Sequence, residues 1–278
     1  MKASLLILIL LLATTGCNHL FYYPDKRIFF APEKLGLTYH VKALKTQDNV
    51  NLVAWVFPTT QKKVKGTIIQ FHGNAENMST HYLSLMWLIH QGYNLVTFDY
   101  RGYGSSEGKP SPKGTYLDGL SALDLAWQTH KASTINSPEA KFIVFGMSLG
   151  GAIAMRSLQD FEHSDEVSGV VLDSTFYSYR RVAYTMVRKS IIGTVISPLT
   201  WLFISDEYSG KRFLKNTKLP ILVVHDQGDP VVPAENGLRT FNLINSKKEY
   251  WQPNLGRHTG TFTEDQSEWR KKLLGYLN

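Results

Sequence analysis

The chain has 278 residues, of which 43% are hydrophobic and 19% are charged, a globular composition with enough apolar material for a sizeable core. Its formal net charge is +7, but the basic residues are scattered and no nucleic-acid-binding motif is present, so we expect a solvated basic surface and no nucleic-acid partner. With a single cysteine, Cys17, the chain cannot form an internal disulfide or a cysteine-based zinc cluster.

The first residues have the pattern of a secretory signal. One lysine precedes an almost purely apolar run, which is too short to span a bilayer comfortably, and small residues follow it. The sequence TTGC at 14–17 resembles the cleavage box of bacterial lipoproteins, in which the chain is cut before the cysteine and the cysteine is then lipidated. Thr14 departs from this pattern, because leucine is usual at its position. The resemblance implies a signal peptide over 1–16 and a lipidated tether over 17–34. A plain secretory signal or an uncleaved anchor is the alternative.

The residue after Cys17 bears on the destination of such a lipoprotein. It is Asn18, whereas an aspartate at this position resembles an inner-membrane retention signal. We therefore expect a lipid-anchored protein of the bacterial cell envelope. In a double-membraned cell, the outer membrane is favoured over the inner membrane.

Strand and helix patterns follow one another along the rest of the chain. In chain order they predict strands at 37–44, 50–57 and 66–73, a helix at 77–91, a strand at 94–100, a helix at 112–130, a strand at 141–146, a helix at 149–160, strands at 168–174 and 220–226, a helix at 234–244, a strand at 248–253 and a helix at 264–277. Asp48 and Asn49 between the first two strands favour an antiparallel hairpin. Strand–helix alternation after this start predicts an α/β fold with a doubly wound, mostly parallel sheet over 35–278.

Residues 175–215 do not fit this alternation, because they separate two predicted strands by more than a simple crossover needs. We expect a small helical cap there. The cap contains 14 residues with hardly any charge, at 191–204, and a run of this length favours a buried or interfacial segment over a membrane span. Four basic residues precede the run: Arg180, Arg181, Arg188 and Lys189. The cap either closes over the sheet or lies against an anionic membrane surface.

A G-x-S-x-G motif at 146–150 places Ser148 between a predicted strand and a predicted helix. This context favours a sharp strand-to-helix turn that exposes a serine hydroxyl above the sheet, and the turn requires small residues two places before and after the serine. A serine that merely begins a helix among glycines is the alternative. We predict that Ser148 is a nucleophile.

A serine hydroxyl becomes an effective nucleophile when an imidazole accepts its proton, and a carboxylate orients that imidazole. After a turn of this kind, the acid and the histidine follow the serine in that order along the chain. Asp229 lies just past the strand at 220–226, and His258 lies in a glycine-flanked loop after the last predicted strand. We predict that they complete a triad with Ser148.

Other acids and histidines remain as alternatives. Asp226 comes earlier, at a strand end, and a role in shaping the turn is favoured for it; Asp173 follows the preceding strand. His163 lies in a charged surface segment, and His225 ends a strand directly before the acid loop, where a structural role is favoured.

An acyl-transfer reaction also needs two backbone N–H groups that bind the developing oxyanion. One is expected at Leu149, directly after the nucleophile, and the other in the loop after the third strand. In that loop Gly73 allows a close approach of the backbone, and Asn74 is the donor by position. His72 invites a catalytic role, but an imidazole that holds the loop by hydrogen bonds is the favoured interpretation.

Five segments, in this order, resemble the α/β-hydrolase family over nearly the whole chain from about residue 35 to 278. They are HGNAEN at 72–77, DYRGYGSSEG at 99–108, GMSLGG at 146–151, HDQGDPVVP at 225–233 and GRH at 256–258. The best match is the branch that includes serine aminopeptidase-like and monoacylglycerol lipase-like hydrolases and the acyl-protein thioesterases. The resemblance implies the α/β-hydrolase fold and its triad, and it leaves the substrate open.

The resemblance further implies a serine hydrolase that cleaves carboxylic esters or thioesters through an acyl-enzyme, with lipid-like or acyl substrates near a membrane. A peptidase or amidase on the same triad, or a catalytically silent envelope lipoprotein, is the alternative. The glycine spacing at 102–108 is one residue too long for a dinucleotide fingerprint, and no phosphate loop or metal-ligand spacing is present. We therefore expect no cofactor and no metal.

Overall fold

A central sheet of eight strands carries the fold. The computed structural model describes residues 21–265 and 267–278. The strands are β1 (His40–Lys45), β2 (Asn51–Phe57), β3 (Gly66–Phe71), β4 (Tyr93–Phe98), β5 (Lys141–Met147), β6 (Gly169–Asp173), β7 (Ile221–Val224) and β8 (Lys248–Trp251). They lie in the order β1-β2-β4-β3-β5-β6-β7-β8. β2 pairs antiparallel with β1 and β4, and every later pair is parallel, which confirms the predicted mostly parallel sheet with an antiparallel start.

The parallel pairing brings the carboxyl ends of the central strands to one edge of the sheet. Phe71 of β3 pairs with Gly146 of β5. Met147 of β5 pairs with Asp173 of β6, which pairs with Val224 of β7. The segments that follow these four strands therefore begin side by side. This is the edge at which open α/β sheets bind their ligands.

Helices cover both faces of the sheet, as a doubly wound fold requires. They are α1 (Met78–His81), α2 (Pro112–Ser133), α3 (Leu149–Leu158), α4 (Tyr179–Val187), α5 (Ile191–Ile196), α6 (Thr200–Phe203), α7 (Lys211–Asn216), α8 (Glu235–Leu243) and α9 (Glu268–Leu277). One apolar core joins α2, α3 and α7 to the sheet through side chains such as Leu123, Ile153 and Phe213. A second core joins α9 and the segment that follows β3 to the other face of the sheet, through Leu273 and Leu88.

The prediction of one continuous helix over 77–91 is wrong. The structure has the four residues of α1 followed by two short 3-10 turns. Side chains occupy carbonyl groups that a continuous helix would use for amides four residues later. Gln70 Nε2 donates to the His81 carbonyl at 2.9 Å, and Trp87 Nε1 donates to the Ser84 carbonyl at 3.1 Å. These tertiary hydrogen bonds compete with the helix and interrupt it.

Four short helices, α4 to α7, form the predicted cap between β6 and β7. The beginning of the cap is packed into the core, where Tyr179 and Val182 are buried. The apolar run at 191–204 behaves differently, because Ile192 and Val195 are each 77% exposed. Much of this run therefore faces outward and is not folded down onto the sheet.

The described part of the predicted tether lies against the body of the protein. Tyr23–Pro24 forms a short parallel pair with Ala75–Glu76, in the segment after β3. The predicted lipidation site, Cys17, and the predicted signal peptide, 1–16, lie outside the described residues and stay predictions. In the part of the chain that the structure describes, no helix is both long enough and apolar enough to cross a membrane.

Candidate active site

Ser148 occupies the turn between β5 and α3. Its φ of 51° and ψ of −122° are rare for a residue with a side chain. Hydrogen bonds to the next strand hold the turn on both sides. The Ser148 N–H donates to the Asp173 carbonyl at 2.8 Å, and Thr175 Oγ1 donates to the Ser148 carbonyl at 2.5 Å. The strained conformation is therefore maintained by the surrounding structure.

The glycines of the motif are required because the turn brings main chains into contact. A Cβ at Gly150 would lie 2.2 Å from the Phe71 carbonyl oxygen and 2.4 Å from that of His72. A Cβ at Gly146 would lie 2.5 Å from the Cα of Gly151. Non-bonded heavy atoms do not approach so closely. Only glycine fits at 146 and 150, which is the small-residue requirement expected from the sequence.

His258 and Asp229 come together with Ser148 at the carboxyl edge of the sheet. His258 Nε2 lies 2.9 Å from Ser148 Oγ, and His258 Nδ1 lies 2.7 Å from Asp229 Oδ2. The Asp229 carboxylate is buried, whereas 17% of the His258 side chain is exposed. These distances fit a serine hydroxyl that donates to Nε2 and an Nδ1–H that donates to the carboxylate.

Asp226, the earlier of the alternative acids, is committed to backbone amides. Its Oδ2 accepts from the Leu255 N–H at 2.6 Å. Its Oδ1 accepts from the N–H groups of Gly256 at 3.1 Å and Gly228 at 2.8 Å. These bonds tie the acid loop to the loop that carries His258. They agree with the expected role of Asp226 in shaping a turn.

Asp173, the other alternative acid, is fully buried at the end of β6. Its Oδ1 accepts from Ser174 Oγ at 3.0 Å. Burial raises the pKa of Asp173 to about 7, and the hydrogen bond from Ser174 and the charge of His258 oppose this increase. A carboxyl group that holds its proton near neutral pH is poorly suited to stabilising an imidazolium, and Asp229 already contacts the histidine.

The remaining histidines considered from the sequence make structural contacts. His163 stacks on Trp127 with ring centroids 3.7 Å apart. His225 is buried, which lowers its pKa, and its Nε2 lies 2.9 Å from the Val232 carbonyl oxygen. The same nitrogen lies 3.5 Å from Asp229 Oδ2, on the side of the carboxylate that also faces His258. His225 therefore packs behind the predicted triad.

Asn74 and Leu149, the predicted oxyanion donors, line the same cavity as Ser148. Asn74 Oδ1 accepts from the Tyr23 N–H at 2.9 Å and from the Tyr103 hydroxyl at 3.3 Å. These bonds fix the orientation of the Asn74 side chain, and neither of them uses its main-chain amide.

His72 holds the peptide that joins Gly73 to Asn74. Its Nδ1 lies 2.7 Å from the Gly73 carbonyl oxygen, and its Nε2 lies 3.5 Å from Asp99 Oδ1. Burial lowers the pKa of His72 well below its usual value, so the ring is neutral. Because the carbonyl and N–H of a trans peptide point in opposite directions, the Asn74 N–H points away from His72. This geometry agrees with an imidazole that holds the loop.

A cavity of about 230 Å³ opens beside Ser148 and is the candidate substrate site. Most of its wall is apolar, formed by Phe21, Leu149, Phe176, Val182, Met186, Val231 and Val232. A larger cavity of about 370 Å³ lies where Lys141 begins β5, at the opposite end of the sheet, and it contains none of the three triad residues. Of these two cavities, it is the smaller one that brings apolar surface next to the predicted nucleophile.

The glycine loop at 102–108 contacts the site through Tyr103, whose hydroxyl donates to Asn74 Oδ1. A Cβ at Gly104 would lie 1.9 Å from Asp99 Oδ2, so only glycine fits there. Arg101, directly before the loop, pairs with Asp48 at 2.7 Å and Asp118 at 2.8 Å.

Within the described residues, no three histidine, cysteine, aspartate or glutamate side chains are grouped in a way that could hold a metal ion.

Comparison with known families agrees with this geometry. The family described as serine aminopeptidase, S33, matches residues 62–206, which is more than half of the chain. The chain belongs to this family of α/β-hydrolases. The match covers the elbow around Ser148 and most of the cap of the hydrolase.

The chain is also similar to individual proteins and to solved structures. The protein YfhR of Salmonella typhi is 31% identical over 243 residues, which cover 82% of the hydrolase and 76% of YfhR. The lysophosphatidylserine lipase ABHD12 of Rattus norvegicus is 30% identical over 192 residues, which cover 66% of the hydrolase and 46% of ABHD12. The Pyrococcus furiosus esterase Pf2001 superposes with a TM-score of 0.67 at 23% identity, covering 92% of the hydrolase and 96% of the esterase. That likeness shows the fold.

Sequence reasoning missed two features of the site. Phe21 forms part of the cavity wall, although it follows the predicted lipid anchor and was assigned to the tether. The available signal was the aromatic sequence FYY at 21–23, which requires apolar partners. The hydrogen bonds of Asp226 to the histidine loop were also missed, because they join segments that are distant in the sequence of the hydrolase.

Proposed function

We propose that this hydrolase is a serine esterase or thioesterase with Ser148, His258 and Asp229 as its catalytic triad. The observation that carries the proposal is the relay of two hydrogen bonds, 2.9 Å from Ser148 Oγ to His258 Nε2 and 2.7 Å from His258 Nδ1 to Asp229 Oδ2. A serine–histidine contact oriented by a buried carboxylate activates the hydroxyl. The relay borders an apolar cavity that can receive the substrate.

In the acylation step, Ser148 Oγ attacks the carbonyl carbon of the substrate while its proton moves to His258 Nε2. Asp229 stabilises the resulting imidazolium. Its Oδ1 accepts from the N–H groups of Val231 at 2.8 Å and Val232 at 2.9 Å, which orient the carboxylate. The backbone amides of Asn74 and Leu149 then bind the oxyanion of the tetrahedral intermediate.

Collapse of that intermediate breaks the bond to the leaving alcohol or thiol, which takes the proton from Nε2. A water molecule completes the cycle by giving a proton to Nε2 and attacking the acyl-enzyme. The acid is released, and the proton on Nε2 returns to Ser148 Oγ. No group other than the triad, the two amides and water is needed for these steps.

The walls of the cavity favour an acyl substrate. Phe176, Val182, Met186 and Val232 present hydrocarbon surface next to the nucleophile, and burial of substrate methylenes against such surface is favourable. The names esterase and lipase among the similar proteins support ester chemistry. The family description, serine aminopeptidase, keeps amide cleavage as the alternative that the experiment must separate.

The experiment combines active-site labelling with a substrate series. We expect a fluorophosphonate probe to label the full chain and p-nitrophenyl esters to be hydrolysed. Ser148→Ala should lose the label and reduce kcat at least about a thousandfold. Ser168→Ala, a serine at the opposite end of the sheet, is the matched control and should behave as the parent. Labelling of Ser148→Ala equal to the parent would exclude the proposed nucleophile.

A second readout separates the alternatives. Faster turnover of aminoacyl amides than of esters and thioesters would favour a peptidase. A folded parent that neither reacts with the probe nor turns over any ester, thioester or amide would instead be a silent envelope protein.

We propose in addition that the protein acts near a membrane to which a lipid on Cys17 anchors it. The cap supports this placement, because Ile191, Ile192 and Val195 are exposed by 89%, 77% and 77%. The guanidinium groups of Arg180 and Arg181 lie 5.5 Å and 5.8 Å from the ring centroid of Trp201. Apolar side chains bordered by arginines fit an anionic bilayer surface.

A further inference from the structure

The segment Phe21–Phe30, here called the strap, is fixed to the loop that follows β3. Tyr23–Pro24 pairs in parallel with Ala75–Glu76. The Tyr23 N–H also donates to Asn74 Oδ1 at 2.9 Å. The first residues of the strap therefore bind the loop that carries the predicted oxyanion donor.

Further hydrogen bonds continue along the strap. Asn77 Nδ2 donates to the carbonyl groups of Asp25 at 2.9 Å and Arg27 at 2.6 Å. The Phe29 N–H donates to Ser79 Oγ at 2.9 Å. Main-chain groups bonded in this way to a buried asparagine and a buried serine do not belong to a loosely attached linker.

The side chains of Phe21 and Tyr22, the first two residues of the strap, pack against the body of the protein. Tyr22 is 6% exposed, and its hydroxyl lies 3.2 Å from Thr115 Oγ1. The rings of Phe21 and Tyr179 pack in a T-shaped arrangement, with centroids 5.3 Å apart and planes at 72°, and the centroid of the Phe176 ring lies 6.3 Å from that of Phe21. These contacts hold the Phe21 ring in the cavity wall beside Ser148.

We propose that Phe21 is a specificity-determining residue, which limits the length of the acyl chain that the cavity accepts. The inference rests on the proposed esterase function, in which the cavity of about 230 Å³ receives the acyl group. A rigid ring held by two neighbouring aromatic residues sets the boundary of so small a cavity. A difference of a single methylene in an apolar pocket changes kcat/KM by about 10- to 200-fold, so the position of one ring decides which acyl chains react well.

The test varies the acyl chain at a constant leaving group. In the full chain, Phe21→Ala removes the ring and should raise the ratio of kcat/KM for p-nitrophenyl decanoate over butyrate by about tenfold or more. Phe21→Trp enlarges the ring and should lower that ratio. Phe30→Ala is the matched control, because Phe30 belongs to the same strap, is 48% exposed and does not line the cavity. Its ratio should stay within about twofold of the parent, since no wall contact is lost.

Fluorophosphonate labelling of Ser148 distinguishes a failure of the proposed esterase function from a failure of the proposed role of Phe21. A parent that neither binds the probe nor hydrolyses esters would remove the proposed function itself. A parent and Phe21 variants that label equally well, with the same chain-length ratio in all, would overturn the role of Phe21 and leave the esterase proposal intact. If Phe21→Ala loses labelling through misfolding, the Phe21→Trp ratio alone decides between these outcomes.

Discussion

Three residues other than glycine adopt positive φ angles around the predicted catalytic centre: Ser148 at 51°, Ser174 at 53° and Thr259 at 55°. Each such conformation costs about 1–3 kcal/mol and persists only where neighbours hold it. The Thr259 N–H donates to Ser174 Oγ at 3.1 Å, which ties the residue after His258 to the end of β6. Hydrogen bonds thus connect the strained positions in the serine turn and the histidine loop to the end of β6.

At the residue scale, the buried carboxyl of Asp173 indicates that the stability of the protein depends on pH. Its burial raises the pKa of the folded protein's carboxyl to about 7, above the ordinary value of 3.8. Between these values the folded state keeps the proton while the unfolded state releases it, so stability is full below the unfolded pKa and falls as pH rises through the folded pKa. Asp173→Asn should remove this loss. From about pH 5 to pH 8, the free energy of unfolding of the variant should therefore rise by about 2–3 kcal/mol relative to that of the parent.

Thermal or urea unfolding of both proteins across that range measures the difference. Asp165→Asn removes an exposed carboxylate and controls for the loss of charge. Asp99, whose pKa burial also raises to about 7, is present in all three proteins, so its contribution cancels. A stability difference between Asp173→Asn and the parent that stays constant with pH would contradict a raised pKa of Asp173 in the folded protein.

At the scale of elements, the cap is divided between two environments. α4 packs into the core through Tyr179 and Val182, and Met186 at its other end lines the cavity. α5, only four residues further along, exposes most of its apolar side chains. Exposed isoleucines and valines at this density are typical of a surface that contacts another apolar phase.

We predict that α5 contributes to binding of anionic vesicles. In a Cys17→Ser protein, which has no lipid anchor, the double substitution Ile192→Glu and Val195→Glu should weaken cosedimentation with phosphatidylglycerol vesicles by about tenfold or more, because each side chain loses about 1.5–3 kcal/mol of burial. Ile135→Glu is the matched control, since Ile135 is 82% exposed and follows α2 outside the cap. Equal binding by all three proteins would show that the cap does not dock on the bilayer.

At the scale of the whole molecule, the predicted anchor, Cys17, lies close in sequence to Phe21, which lines the cavity. Phe21 is the fourth residue after Cys17, with three residues between them, so the extended chain from Cys17 to Phe21 spans at most about 14 Å. Since Phe21 lines the cavity and the strap holds it there, a lipid on Cys17 would keep the active site close to the bilayer. Substrates dissolved in that bilayer would then be within reach of the cavity.

The proposed anchor predicts that Cys17 determines the location of the protein and not its chemistry. We predict that Cys17→Ser abolishes incorporation of labelled palmitate and shifts the protein from the membrane fraction to the soluble fraction of cells. Its kcat/KM for a water-soluble butyrate ester should remain that of the parent. Ser148→Ala is the complementary control, which should stay on the membrane without activity. Membrane retention of Cys17→Ser equal to that of Ser148→Ala would contradict anchoring through this residue.

Much of the fold followed from the sequence, because its signals are local. Alternating and continuous apolar runs predicted all eight strands of the sheet, and the strand–helix alternation after an antiparallel start predicted that the sheet is mostly parallel; the order of the strands came from the structure. The requirement for glycine at 146 and 150 could also be inferred, since it arises within one turn. The G-x-S-x-G motif selected Ser148, and chain order with loop position selected Asp229 and His258. The three side chains lie within hydrogen-bonding distance, and their catalytic role stays a prediction.

What depended on contacts between distant segments was decided only by the tertiary structure. The helix expected at 77–91 is interrupted because the side chain of Gln70, from the neighbouring strand, occupies a carbonyl group within it. Asp226 reaches amides that lie about thirty residues further along the chain. Phe21 enters the cavity wall from the predicted tether because hydrogen bonds to the segment after β3 hold the strap there. Periodicity and motifs describe a chain's own neighbourhood, whereas these features depend on which separate segments the fold brings into contact.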